Sequence, residues 1–301
     1  MAKDETNVNQ MNKLFENYIL VDVGANLTNR KYSRDLESVI TRAKDSGVQK
    51  IIVSSSSLKG SREALRLSRI YPGVLYASAG VHPHEAKSWD EESLETLKEI
   101  AINNECVAIG ACGLDYNKNF SPPDIQRLVF KKQVELACEV RKPLCIHERD
   151  AHQDLIQILE EFKSTLPPII LYSYTGSSIN AINYLRFDGY FAITGYITKD
   201  NTGAGVRSLL ESGDVQLERL LVQTDSPFMY PNARASKLPD SVKNALTQRS
   251  LSFLQRYCTF QRNEPCSLPV IVEMVAALLG KTPDDVALAT SFNALKVFGL
   301  S

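Results

Sequence analysis

The four histidines of this 301-residue chain form two closely spaced pairs at the ends of apolar, β-branched runs. The pairs are His82 with His84, and His147 with His152. Two aspartates, Asp115 and Asp225, end two further apolar runs. Imidazole and carboxylate groups gathered from several strands are typical ligands of a divalent ion such as Zn²⁺, Mn²⁺, Fe²⁺ or Mg²⁺. These residues predict a metal site if the fold brings the ends of the runs together.

Eight apolar runs with little in/out alternation predict the strands of a parallel sheet covered on both faces. Stretches of helical period separate them, for example residues 33–46, 123–140 and 151–162. The number and spacing of these units favour an α/β fold of the (β/α)₈ TIM-barrel type. An open, doubly wound sheet is the alternative, but no Gly-rich phosphate-binding motif follows the first run. The eight runs are 18–27, 50–56, 75–83, 107–116, 143–150, 168–176, 190–198 and 220–227.

In such barrels the active site lies at the C-terminal ends of the strands, which is where all four histidines fall. Residues 1–17 are polar and are expected to form a flexible tail, with a single domain over 18–301. Residues 228–265 are predicted to be a long connection, followed by two or three helices over 266–298.

Composition excludes several classes of protein. Lys and Arg total 34 against 35 Asp and Glu, so the chain is not a globally basic nucleic-acid binder. No apolar run has the length that a membrane span needs, and the polar N-terminus lacks a secretory signal pattern. The six cysteines include no C-x-x-C pair and are expected to be reduced. We therefore expect a soluble monomer without membrane contact, located in the cytoplasm, with the nucleus as the alternative.

Seven motifs, in order along the chain, resemble those of the TatD family of metal-dependent deoxyribonucleases. They are DVGANLTN (22–29), AGVHPHEA (79–86), AIGACGLDYNKNFS (108–121), HERDAH (147–152), LYSYTGS (171–177), QTDSP (223–227) and RNEPCSLP (262–269). The resemblance implies a TIM barrel with 3′–5′ exonuclease activity on single-stranded or nicked DNA. It also implies two divalent ions, commonly Mg²⁺, with Mn²⁺ or Zn²⁺ as alternatives, which would stabilise both oxygens of an in-line displacement.

The resemblance assigns roles to individual residues. His82, His147 and Asp225 match family positions that contact the metal, contact the phosphate or activate water. His82 and Asp225 are accordingly the predicted catalytic residues, and all three are predicted metal ligands. The predicted substrate-binding residues are Asn117, Arg149 and Arg262, together with the second histidine of each pair, His84 and His152.

Three positions depart from the family pattern. Ala111 stands where the family has a metal-bridging glutamate, Tyr172 where it has a histidine, and Gln223 where the E-T-D motif has its glutamate. A methyl group cannot ligate a cation, and a phenol must first lose a proton whose pKa is near ~10. We therefore expect at most one bound ion and strongly reduced nuclease activity. Two alternatives stay open: an inactive protein that binds nucleic acid or a protein partner, and a one-metal hydrolase of another substrate.

Two nearby carboxylates are expected to be poor replacements for the missing ligands. Glu148 follows His147 directly and should face away from the barrel axis. Asp115 is expected to lie too far along its loop, unless its side chain folds back toward the site. For DNA contact, aromatic residues near the strand ends could stack on unpaired bases and basic ones could meet phosphates. The candidates are Tyr116, Phe120 and Phe228, and Lys118, Arg149, Lys199, Arg234, Lys237 and Arg262.

Overall fold

The computed structural model describes residues 18–300, and its centre is an eight-stranded parallel sheet in the order β1 to β8. Each strand pairs in parallel with the next one along the chain. The strands are β1 (Leu20–Ala25), β2 (Val48–Val53), β3 (Leu75–Ala79), β4 (Cys106–Asp115), β5 (Leu144–Arg149), β6 (Ile169–Leu171), β7 (Gly189–Ile193) and β8 (Leu220–Val222).

Helices connect the strands on the outside, which confirms the predicted (β/α)₈ TIM barrel. The helices between strands are α1 (Leu36–Asp45), α2 (Leu58–Ile70), α3 (Ser93–Ala101), α4 (Pro123–Val140), α5 (His152–Glu161), α6 (Ser178–Leu185) and α7 (Val206–Ser212). After β8 come α8 (Asp240–Asn244), α9 (Gln248–Tyr257), α10 (Leu268–Leu279) and α11 (Pro283–Phe298).

The first and last strands meet beyond the end of β8. Asp225 N donates to Gly24 O at 2.9 Å, and Asn26 N donates to Ser226 O at 2.8 Å. The side chain of Asp22, which is fully buried, accepts hydrogen bonds from Thr224 N at 3.0 Å and Thr224 Oγ1 at 2.5 Å. These contacts hold the residues after β8 against β1 and fix the place of Asp225.

Apolar side chains fill both the interior of the barrel and the space between the sheet and the surrounding helices. Val21 and Val23 of β1 belong to an interior cluster with Ile170 of β6 and Leu221 of β8. A larger cluster lies mainly between the sheet and the helices and includes Leu20, on the other face of β1. Because side chains alternate along a strand, His147 shares the inward face with Cys145 of the interior cluster, and Glu148 lies on the opposite face.

Three expectations need comment. The long connection predicted over 228–265 is wrong, since it contains α8 and α9, and Thr247 caps α9 by accepting from Ser250 N. Residues 266–298 form two α-helices, as expected. The predicted tail, residues 1–17, lies outside the described residues.

Within 18–300 no single helix could cross a membrane by length and composition, although a pair bent by 110°, Pro265–Leu279 with Pro283–Phe298, passes that test together.

Candidate functional site

Three side chains that could hold a metal ion meet at the C-terminal ends of β3, β4 and β5. Asp115 Oδ2 lies 2.7 Å from His84 Nε2 and 3.0 Å from His147 Nε2. One ligand atom from each residue lies within 4.8 Å of the others. His84 lies in the short 3₁₀ helix after β3, Asp115 ends β4 and His147 belongs to β5. Two imidazoles and one carboxylate form a donor set that suits a single divalent ion.

Local hydrogen bonds orient the Asp115 carboxylate toward the two imidazoles. Its Oδ1 accepts from Asn117 N at 3.0 Å and Lys118 N at 2.8 Å, while Gln126 Oε1 accepts from Asp115 N at 2.8 Å. Burial raises the pKa of this carboxyl, but hydrogen bonds from His147, His84 and Lys118 N outweigh burial and hold its pKa well below the usual range. Asp115 is therefore an anion whose second oxygen faces both histidines.

The expectation that Asp115 lies too far along its loop is wrong. Strand β4 runs on to Asp115, which pairs with Arg149 of β5, so its side chain stays beside that strand instead of leaving with the loop. The expectation for Glu148 holds, because its carboxylate accepts from Ala151 N at 2.9 Å and from the hydroxyl of Tyr184 at 3.4 Å. Glu148 is thus bonded away from the cluster.

His82 adds a third imidazole beside the cluster. Its ring centroid lies 4.4 Å from that of His84 and 4.6 Å from that of His147. Burial lowers the pKa of His82 well below its usual value, and the neighbouring His147 and His84 lower it further, so the ring is neutral. Because Nδ1 accepts from His84 N at 3.2 Å, the proton of the neutral ring lies on Nε2.

Asp225 lies across the barrel mouth, just after β8. Burial raises the pKa of its carboxyl to about 7, and the charge of Asp22 adds to this effect. Its side-chain contact is a long hydrogen bond, 3.4 Å, from Gln223 Nε2. Within residues 18–300, neither Asp225 nor His82 belongs to the group of mutually close ligand atoms. Of the three predicted metal ligands, the structure places His147 in that group.

Tyr172 and Gln223 fill the space between β1 and Asp225, and are termed the Tyr172–Gln223 plug. The Tyr172 hydroxyl donates to Val23 O, and Gln223 Oε1 accepts from Ser173 N at 3.0 Å. A Cβ placed on Gly24 would lie 2.6 Å from Gln223 Nε2 and 2.7 Å from the Tyr172 hydroxyl, so the plug packs directly on β1. Burial raises the pKa of Tyr172 well above its usual value, so it is a neutral hydrogen-bond donor.

A two-ion site does not fit these residues. Ala111 offers no ligand atom, the Tyr172 proton is committed to a backbone carbonyl, and the Gln223 amide carries no charge to offset two dications. The donor set on the opposite side of the barrel mouth, His84 with Asp115 and His147, fits one ion.

Replacing Tyr172 with Phe should destabilise the fold. The substitution keeps the ring but leaves the buried Val23 carbonyl without its phenolic donor, which should lower the free energy of unfolding by about 1–2 kcal/mol. Urea unfolding of the two proteins measures this difference. Tyr71→Phe is the matched control, because the Tyr71 hydroxyl makes no hydrogen bond within residues 18–300 and its loss should cost about 0.5 kcal/mol or less. Equal midpoints for Tyr172→Phe and the parent would show that this hydrogen bond does not hold the plug.

A pocket of about 620 Å³ adjoins the cluster at the ends of β4 to β7. Three of the predicted substrate-binding residues line it: Asn117, Arg149 and His152. Arg149 is exposed, whereas both ring nitrogens of His152 are engaged, Nδ1 with the Tyr184 hydroxyl at 2.8 Å and Nε2 with Asn183 Nδ2 at 3.3 Å. The other lining residues include Tyr116, Glu148, Asp150, Gln153, Asp154, Ser177, Asn180, Tyr196 and Met229.

The remaining two predicted substrate contacts lie elsewhere. His84 is part of the cluster that could hold a metal ion. Arg262 lies on the other side of the barrel mouth, where its guanidinium contacts both oxygens of Asp35, at 2.8 and 2.9 Å, and pairs with the buried Glu264. The structure therefore divides the predicted site residues between the cluster, the pocket, the β8 end and this ion-paired group.

Sequence reasoning missed two features of this region. The first is that Asp115, named from the sequence among the possible metal ligands and then set aside as a replacement ligand, lies at the centre of the cluster as the last residue of β4. The second is Phe260, which lies in the turn after α9 and exposes 67% of its surface. No local pattern marks this phenylalanine, because its position depends on how the turn packs against the barrel.

A parallel barrel with histidine and aspartate side chains at the C-terminal ends of its strands has potential metal ligands at the face where TIM barrels carry their active sites. A sequence profile described as TatD related DNase matches residues 21–299. The chain belongs to the TatD family.

Curated relatives and solved structures agree with this assignment. The chain is 34% identical over 281 residues, 93% of its length and 100% of the relative, to a protein from Erwinia tasmaniensis named 3′-5′ ssDNA/RNA exonuclease TatD. A protein of the same name from Escherichia fergusonii is 33% identical over 282 residues, covering 94% and 100% of the two chains.

Two solved structures share the fold. A TatD family hydrolase from Entamoeba histolytica superposes with a TM-score of 0.81 at 21% identity, covering 95% of this chain and 99% of its own. A TatD homologue from Escherichia coli K12 gives a TM-score of 0.79 at 23% identity, covering 94% and 98%.

Proposed function

We propose that this protein is a 3′–5′ exonuclease of the TatD type, which hydrolyses phosphodiester bonds in single-stranded or nicked nucleic acid with the help of one divalent ion. One observation carries the proposal: a pocket is lined by Asn117 and Arg149, which lie two residues beyond Asp115 and His147 of the His84–Asp115–His147 cluster. Tyr116 and Asn117 follow Asp115, and Glu148 and Arg149 follow His147, so cluster and pocket adjoin. The names of the curated relatives support the same chemistry.

His84, Asp115 and His147 would hold the ion. A divalent ion bound there would polarise a phosphoryl oxygen and lower the pKa of a bound water molecule. The resemblance to the family favours Mg²⁺, but a donor set with two imidazoles is better matched by Mn²⁺ or Zn²⁺.

The proposed catalytic residues lie on either side of the barrel mouth. His82 is neutral and carries its proton on Nε2, so it can donate a hydrogen bond to a phosphate oxygen or to the leaving oxygen. Asp225, whose pKa is raised to about 7, can accept a proton from water at near-neutral pH. Their protonation states thus suit His82 as donor and Asp225 as acceptor.

The adjoining pocket is proposed to bind the terminal nucleotide. A volume of about 620 Å³ falls within the range of small-ligand sites. Arg149 is exposed at its wall and has no ion-pair partner in the described part of the chain, so its guanidinium is available to a phosphate. Asn117 donates to Asp150 Oδ2 at 2.9 Å, which fixes the amide at the pocket edge.

Replacing Arg149 with Gln should weaken binding of single-stranded DNA. One lost phosphate contact should lower the slope of log affinity against log salt by about one. Fluorescence anisotropy of a labelled oligonucleotide over a range of salt concentrations measures the slope. Arg66→Gln is the control, because Arg66 lies on the outer helix α2 and pairs with Glu63. A slope identical to that of the parent would remove Arg149 from the substrate contacts.

The rate of hydrolysis is proposed to be low compared with that of two-ion relatives. Ala111 and the Tyr172–Gln223 plug leave no second set of ligands, so one ion must stabilise both the attacking and the leaving oxygen. Turnover of 5′-labelled single-stranded DNA with Mg²⁺ or Mn²⁺, with EDTA as the control, tests the function directly. Slow, EDTA-sensitive release of nucleotides from the 3′ end is the expected result.

A second candidate function is nucleic-acid binding without cleavage. The plug favours it, since Tyr172 and Gln223 form a stable, hydrogen-bonded filling at the family ligand positions. A protein of this kind would bind the oligonucleotide in anisotropy measurements and release no nucleotide with any divalent ion. Turnover of a different small substrate, blocked by EDTA, would point instead to a one-metal hydrolase.

A further inference from the structure

Three aromatic rings form a continuous surface at the barrel mouth, on the side of β8 and β1. Phe228 and Phe260 expose 51% and 67% of their surface, and the Tyr230 and Phe260 ring centroids lie 4.6 Å apart. Phe228 and Phe260 line one hollow of about 440 Å³, and Tyr230 and Phe260 line another of about 460 Å³. Because Phe260 lines both hollows, they lie side by side. The rings with Lys31 and Arg234 are termed the Phe228–Phe260 surface.

Positive charge accompanies these rings. The Lys31 ammonium lies 6.0 Å from the centroid of the Phe228 ring, and Arg234 lines the second hollow beside Tyr230. Within residues 18–300 neither Lys31 nor Arg234 pairs with a carboxylate. The nearby acids Asp35 and Glu264 are already paired with arginines, Arg42 and Arg262. The surface therefore combines exposed ring faces with uncompensated cations.

The surface is continuous with the candidate site. Met229, between Phe228 and Tyr230, lines the pocket beside the metal-binding cluster. Phe228 N donates to Asp225 O at 2.9 Å, and Asn263 N donates to Pro227 O at 3.1 Å, which joins this turn to the one that carries Phe260. A strand whose end lies in the pocket can thus pass over Met229 onto the rings.

We propose that the Phe228–Phe260 surface binds the unpaired nucleotides that precede the 3′ end in the pocket, an inference that rests on the proposed function. Bases of single-stranded nucleic acid stack on exposed aromatic rings without regard to sequence, while cations neutralise the backbone. A duplex buries its base faces and offers the rings nothing to stack on. The surface therefore selects single strands over duplexes.

The test compares two oligonucleotides of equal length and charge, an oligothymidylate and an abasic strand, by fluorescence anisotropy with Mn²⁺ present. Both strands carry phosphorothioate linkages, which resist cleavage. The double variant Phe228→Ala/Phe260→Ala should bind oligothymidylate about tenfold more weakly than the parent. Its affinity for the abasic strand should equal that of the parent. Phe292→Ala is the matched control, because Phe292 is 63% exposed on the last helix, α11, and should leave both affinities unchanged.

Each other outcome overturns a defined part of the inference. Equal weakening for both strands would show that the variant disturbs the local fold or the position of the cations, and that the rings do not act through stacking. An unchanged affinity for oligothymidylate would overturn the proposed binding role of the Phe228–Phe260 surface and would leave the proposed function intact. If the unchanged affinity came with loss of self-association in sedimentation, the rings would form an interface between copies of the chain. A parent protein that binds no single strand would overturn the proposed function as well.

Discussion

Asp115→Asn is expected to abolish binding of a divalent ion at the cluster. Asparagine keeps the shape of the side chain and the acceptor for Asn117 N and Lys118 N, but it removes the negative charge between His84 and His147. Loss of an ion-binding carboxylate should lower affinity by at least about 100-fold, since altering groups one shell further out already lowers it 10- to 100-fold. Any EDTA-sensitive nuclease activity should fall by a similar factor.

Thermal and chemical unfolding with added Mn²⁺ or Zn²⁺ measures this effect without an activity assay. An ion at 100 times its Kd stabilises the parent by about 2.7 kcal/mol, because it binds only the folded state. The Asp115→Asn protein should show no such stabilisation at the same concentration. Asp150→Asn is the control, because Asp150 lies on the pocket wall and accepts from Asn117 outside the cluster. A variant stabilised as much as the parent would place the ion elsewhere, with Asp225 the next candidate.

Restoring the family ligands should create a second ion-binding site and raise nuclease activity. The double variant Ala111→Glu/Tyr172→His supplies a carboxylate and an imidazole on the inward face of the barrel, where Ala111 and Tyr172 belong to one interior cluster. We expect a second equivalent of Mn²⁺ to bind and turnover of single-stranded DNA to rise by about 100-fold. That is the scale on which mutagenesis measures one preorganised electrostatic group in a transition state.

Ala111→Gln/Tyr172→His separates charge from shape, because glutamine matches glutamate in size and carries no charge. It should bind no second ion and should remain as slow as the parent. Circular dichroism must show that both variants fold, since replacing Tyr172 also removes the donor to Val23 O. A parent that cuts as fast as the restored variant would contradict the ligand argument. If neither variant exceeds the parent, Ala111 and Tyr172 are not what limits the rate.

The fold could be predicted because the signals that define it are local. Apolar runs alternate with helical periods, and eight such units match the TIM barrel in number and length. The predicted ends of the strands were less accurate. The run 168–176 contains a strand of only three residues, Ile169–Leu171, because the chain turns onto the barrel mouth after it. The helices of 240–257 were missed because prolines on both sides suggested a loop.

The site was only partly predictable, since it depends on distances across the barrel mouth. The histidine pairs and the loss of ligands at Ala111 and Tyr172 are visible in the sequence. The approach of His84 and His147 to a single oxygen of Asp115 is not, because it depends on how far β4 extends and on two backbone donors after it. The Tyr172–Gln223 plug could not be predicted either, because it depends on the hydrogen bond that the Tyr172 hydroxyl donates to Val23 O across the barrel.

The contact between Asp22 and Thr224 shows that residues of the family motifs can serve the fold without taking part in the chemistry. Both residues lie in motifs that carry the resemblance to the family, yet their side chains bond each other and close the barrel. The buried hydrogen bonds between them stabilise the barrel whether or not the protein keeps nuclease chemistry. Matches at such positions therefore record ancestry and architecture, and a descendant can keep a full set of them after its metal ligands have changed. Assigning activity within this family requires inspection of the ligand positions themselves.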